Sequence, residues 1–211
     1  MLLKNVVALN TKKSLPILSQ LEIWDALVEL FSGKQWRRKQ EGKRVYQNEQ
    51  YQTLIAMNNL TQFLLFAVSF ERQIADYLIN CTGILKSCLK WLAASSALYK
   101  PAANSSHGIS ADSKMFMLDG FNENLLKLFN LLVFLNEDKS VFMINKFYED
   151  KIPDSQAEDM NRHRKYNIFY LIAEILSNTK RNGLILAIFK LLGILIPKWS
   201  KGKLNAFLIT N

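Results

Sequence analysis

The sequence predicts an all-α chain assembled from repeated helical units, and three observations predict it. Apolar residues recur at three- and four-residue steps through nearly the whole length. Only 8 Gly and 4 Pro punctuate 211 residues, too few for a turn-dense β architecture. An apolar helix, a short polar turn and a new apolar helix follow one another four times. No segment alternates with period two over a length that demands a sheet. With 49% hydrophobic residues, the chain has the material for a sizeable core and is read as a single segment over 1–211.

The elements follow in order. Leu15 to Phe31 carries a broad apolar stripe that includes Leu18, Leu21, Trp24, Leu27, Val28 and Phe31, and Gly33 supplies a natural helix stop. A polar loop over 34–48 comes next. Gln50 to Phe70 repeats Leu54, Met57, Leu60, Phe63, Leu64 and Ala67 at helical steps. Ile74 to Leu98 is a third helical stretch, broken near Thr82-Gly83. Small and polar residues over 99–113 predict a loop. Asn122 is placed to cap a helix over Leu125 to Leu135, and Ser140 one over Val141 to Tyr148. Polar residues around Pro153 predict a loop over 149–164, and Tyr166 to Leu176 and Leu184 to Ile196 complete the helices.

The turns of the four copies fall at Asn10, Ser69, Asn136 and Asn178. Asn tolerates the left-handed backbone that ends a helix. Ser14, Ser140 and Asn182 then stand where a following helix needs a cap. Trp24 to Phe31 matches Leu85 to Leu92, with apolar residues at the first, fourth, fifth, seventh and eighth places of both. These turns, and Glu71-Arg72-Gln73-Ile74 followed by Gly83-Ile84-Leu85, resemble the armadillo repeat.

That resemblance implies an armadillo-like α-solenoid of about four imperfect units. A unit of roughly 40 residues cannot bury its apolar face alone, so stacking supplies the core. Polar residues 149–164 stand where a third helix of the third unit is expected, and Pro197 interrupts the equivalent helix of the fourth. Met1 to Leu9 reads as the end of a second helix without a first, and Leu204 to Ile209 stays apolar. Neither end reads as a polar cap, so a piece of a larger scaffold, or an end covered by a partner, is expected.

Charge and chemistry narrow the function. The chain holds 27 Lys+Arg against 18 Asp+Glu, a net +9, and Lys34 to Arg44 (KQWRRKQEGKR) contributes five of those charges. Lys34, Trp36, Arg37, Arg38, Lys39, Lys43 and Arg44 form either a solvated loop or an anchor for an acidic partner, with Trp36 and Tyr46 as flanking anchors. Cys81 and Cys88 are seven apart, on one helix face, and are expected as free thiols in a reducing compartment. The sequons at Asn59, Asn80 and Asn104 read as chance matches. The start lacks a basic leader, and the longest apolar run, Leu184 to Ile196, is interrupted by Lys190, so neither a signal peptide nor a membrane span is expected.

Phosphate loops, nucleophile elbows and His-Glu-x-x-His are absent from the sequence. His107 and His163 have no neighbour at ligand or triad spacing, and the pairs Glu137-Asp138, Glu149-Asp150 and Glu158-Asp159 read as helix-end charges. No enzyme activity, cofactor, metal or small-molecule substrate is expected.

The resemblance implies that third helices line a groove for peptides or helices. Nuclear-import receptors of that family use Trp with Asn four residues on; here Val28 follows Trp24 and Ser95 follows Trp91, so that specificity is not expected. The polar groove positions are Asp25 and Glu29 in one helix and Lys86 and Lys90 in the next. Each pair is four apart and shares a face; side-by-side stacking would set Asp25 opposite Lys86 and Glu29 opposite Lys90. The expected role is a non-catalytic protein-interaction scaffold binding a protein, peptide or helix. The resemblance implies an intracellular setting, in centriolar, ciliary or cytoskeletal assemblies of the cytoplasm or with nuclear adaptors. The rival is a nucleic-acid-binding module that uses the basic loop 34–44.

Overall fold

A computed structural model describes residues 21–33, 47–99, 111–149 and 167–198. The described residues are helical throughout apart from short junctions, and they contain no strand, as the expected all-α class requires. The helices are α1 (Leu21–Phe31), α2 (Gln47–Phe70), α3 (Arg72–Cys81), α4 (Ile84–Ser96), α5 (Ala111–Leu135), α6 (Glu137–Glu149), α7 (Ile168–Asn178) and α8 (Asn182–Lys198), with a 3-10 turn over Ala97–Tyr99 after α4.

The junctions have local causes. Gly33 ends α1 at φ +69, and a Cβ there would stand 3.1 Å from the Trp91 ring, so conformation and space both favour glycine. The break at Thr82-Gly83 is real: the Thr82 hydroxyl donates to the Leu78 carbonyl at 2.6 Å and accepts from the Ile84 amide at 3.3 Å. One residue, Asn136, separates α5 from α6, and its Oδ1 accepts from the Lys139 amide. Asn167 caps α7 by accepting from the Phe169 amide at 2.9 Å. Thr179 does the same before α8, accepting from the Arg181 amide at 3.1 Å.

Helices pack against the third helix along the chain. α2 packs on α5 and α5 on α8; α1 packs on α4 and α4 on α7. The third series is bridged by Lys139 of α6, whose ammonium donates to Asn80 Oδ1 of α3 at 2.8 Å. In α5 and α8, Glu123 meets Arg181 and Asn130 donates to the Ala187 carbonyl at 2.7 Å, so the two helices run in the same direction. α5 packs on α2, α3, α4, α6 and α8, and α4 also packs on α6. One hydrophobic core runs through the described helices. Its anchors include Trp24, fully buried and stacked on Phe63 with centroids 6.0 Å apart, and Phe121, Phe129 and Leu132 of α5. Each such side chain contributes about 1.5–3 kcal/mol through burial.

Several expectations are corrected. α5 begins at Ala111, because Met115, Leu118 and Phe121 extend the stripe of Leu125 backward by one helical face; Asn122 is a buried mid-helix residue, not a cap. Ser140 lies inside α6, which Asn136 starts. Pro197 sits in the last turn of α8 without ending it. The expected loop limits shift, since Gln47, Tyr99, Ala111 to Ser113 and Glu149 belong to helices. The Asn178 turn separates α7 from α8, a different junction from Ser69 (α2–α3) and Asn136 (α5–α6). α7 packs on α4, and α4 on α1. Cys81 and Cys88 occupy different helices, one exposed and one buried, both free. Gln52–Phe70 of α2 is long and apolar enough to cross a membrane by length and composition, contrary to expectation; here Leu54, Met57, Leu64 and Val68 of that stretch are core residues.

Candidate functional site

Asp25 and Glu29 are exposed on α1, Lys86 is exposed on α4 and Lys90 is half-buried there. α1 and α4 pack together. The partner seen for Asp25 is Tyr77 of α3, whose hydroxyl donates to Oδ2 at 2.9 Å; that bond holds the phenol above its ordinary pKa. Trp91 ties this pair of helices to α5: its indole N–H donates to the Phe31 carbonyl at 2.5 Å and its ring meets the Phe121 edge. Lys34, Trp36, Arg37, Arg38, Lys39, Lys43, Arg44 and Tyr46 lie outside the described residues, as do His107, His163, Asn10 and both chain ends.

Sequence reasoning missed a buried polar chain beneath α5. Ser95 of α4 donates to Asn122 Oδ1 at 2.6 Å, and Asn122 Nδ2 donates to the Tyr99 hydroxyl at 3.2 Å. Tyr99 donates to Asp119 Oδ1 at 2.6 Å, and Thr179 donates to Asp119 Oδ2 at 2.8 Å. All five side chains are buried. Burial first, and then the bond to Asp119, push the Tyr99 phenol far up, so it remains a donor across the working pH range. These groups satisfy one another and join α4, α5 and the α7–α8 junction. The signal available in the sequence was a polar residue, Asn122, between Leu118 and Leu125 on an apolar stripe.

Glu123 is the second node. Its Oε1 accepts from Lys127 at 2.6 Å and its Oε2 from the Arg181 guanidinium. Burial pushes this carboxyl up, and the bonds from Lys127 and Arg181 outweigh it, leaving the pKa below the ordinary value.

The outer ridge of α5, with Phe116, Lys127 and Phe134, has a groove on each side. One, of about 260 Å³, lies towards α2 and is bounded by Ile55, Asn58 and Phe116, with the Arg181 guanidinium 5.2 Å from the centre of the Phe116 ring. The other, of about 460 Å³, lies towards α8 between Lys127, Leu131 and Phe134 and Leu186, Lys190 and Ile194. Among the described residues, no three His, Cys, Asp or Glu side chains are grouped to hold a metal ion. No family model matches the chain, and neither does a curated protein or a solved structure.

Proposed function

We propose that this chain is a non-catalytic protein-interaction scaffold, an armadillo-like α-solenoid segment within a larger intracellular assembly. The observation that supports it is the packing of α2 on α5, α5 on α8, α1 on α4 and α4 on α7, with α5 and α8 in the same direction. Repetition of that relationship is how short modules share a continuous core and present long lateral surfaces. The buried side chains of Ser95, Asn122, Tyr99, Asp119 and Thr179 are engaged with one another, while Phe116, Phe134, Leu186 and Phe189 remain exposed on α5 and α8. Aromatic and aliphatic anchors of this kind carry most of the energy in protein interfaces.

The basic run Lys34 to Arg44 favours a second reading, nucleic-acid binding. Affinity capture at rising salt separates the two. Protein partners retained through 0.5 M salt and after nuclease treatment support the scaffold. Recovery that is nuclease-sensitive, falls steeply with salt and vanishes when the six basic loop residues are neutralised supports nucleic acid and removes the scaffold.

A further inference from the structure

We infer that the groove between α5 and α8 docks an acidic, amphipathic helix of a partner protein. The inference rests on the scaffold reading and gives it a site and a partner chemistry. The walls are two ridges with helical spacing: Lys127, Leu131 and Phe134 on α5, and Leu186, Lys190 and Ile194 on α8. Parallel neighbouring helices leave between their ridges a furrow that accepts the ridge of a third helix. From Gly183 to Ile194 the furrow is about 16 Å long, some three helical turns.

Its exposed apolar surface is substantial. Phe134 is 64% exposed and Leu186 56% exposed, values at which large apolar side chains gain from being covered.

Charge selects the occupant. The lining of this groove holds two cations, Lys127 on the α5 wall and Lys190 on the α8 wall, and no carboxylate; Lys127 is paired with Glu123, whose other cation, Arg181, stands at the groove towards α2. α8 itself has no acidic residue along Asn182–Lys198. An apolar floor between cations favours a helix with Leu or Phe on one face and Glu or Asp at its margins. A nucleic acid gains nothing from the aliphatic walls. The site lies on the α2–α5–α8 series, away from Asp25, Glu29, Lys86 and Lys90 on α1 and α4.

The test uses the full chain and a displayed library of random 16-residue peptides. Retained peptides should be enriched in Glu and Asp interspersed with Leu, Ile or Phe at three- and four-residue steps. Their affinity should drop about tenfold or more with Lys190→Glu and with Leu186→Asp, and stay within about twofold with Lys86→Glu. Circular dichroism and melting temperature of each variant establish that the fold survives. Both groove substitutions are at exposed positions, so the fold should tolerate them. Peptides without acidic enrichment, or acidic peptides indifferent to both groove variants, overturn the groove while leaving the scaffold. Failure to retain any peptide overturns the groove, and the separate capture experiment then decides the scaffold.

Discussion

Gly183 leaves the space that Glu123 fills: a Cβ on Gly183 would stand 2.4 Å from Glu123 Oε1 and 2.7 Å from its Cδ. The first turn of α8 approaches α5 closely enough for Arg181 and Lys127 to share one carboxylate. Gly183→Ala forces the Glu123 carboxylate, the far end of a flexible side chain, to move from its place between Lys127 and Arg181. Unfolding in denaturant should show a loss of about 1–3 kcal/mol. The double variant Gly183→Ala, Glu123→Ala should lose less than the sum of its parts, because the clash and the ion pairs are one unit.

Glu123 also gives stability a sign in pH. Its folded-state pKa lies below the unfolded value, so its contribution is present above the unfolded carboxylate pKa of about 4.3 and is lost as pH falls through the lowered folded value. Melting temperature measured between pH 6 and pH 3 should fall more steeply for the native sequence than for Glu123→Gln. Parallel curves would show that the carboxylate is not held as described.

The polar chain under α5 should be costly to interrupt. Tyr99→Phe removes one of the two hydroxyl donors to buried Asp119 and the acceptor of Asn122 Nδ2, with an expected loss of about 1–3 kcal/mol. Asn122→Ala leaves the Ser95 hydroxyl only the Leu92 carbonyl at 3.2 Å, takes a donor from the Tyr99 oxygen and opens a cavity, with a comparable loss. Equilibrium unfolding of both, and of the pair together, should give less-than-additive effects.

The thiols report the break between α3 and α4. Cys81 is exposed; Cys88 is buried, and burial pushes its thiol pKa far up. A thiol reagent at pH 8 should modify one cysteine quickly and the second only at the rate of unfolding. Mass spectrometry should place the fast adduct on Cys81.

Much of the helix inventory was legible because apolar spacing carries it. The stop at Gly33, the break at Thr82-Gly83 and the pairing of Trp24–Phe31 with Leu85–Leu92 all follow from local chemistry. Asn122 misled because a short polar side chain ahead of an apolar run looks like a cap; its true partners, Ser95 and Tyr99, come from another element. The matching of the turns misled for a related reason. Asn178 has the composition of Asn136 but sits between α7 and α8 rather than between α5 and α6. The α5–α8 groove was not readable at all, since it depends on which helices become neighbours. Lys190 was noticed in the sequence only as a break in an apolar run.

The central claim is that α5 lies between α2 and α8, as successive members of one series. Spin labels at Ser69 on α2, Phe134 on α5 and Lys190 on α8, introduced as pairs in a chain with Cys81 and Cys88 replaced, measure it by dipolar spectroscopy. The account predicts short distances for Ser69–Phe134 and Phe134–Lys190, near one helix separation of about 8–10 Å between axes, and a Ser69–Lys190 distance close to twice that. A Ser69–Lys190 distance as short as the other two would mean helices closed around a common axis, and would contradict it.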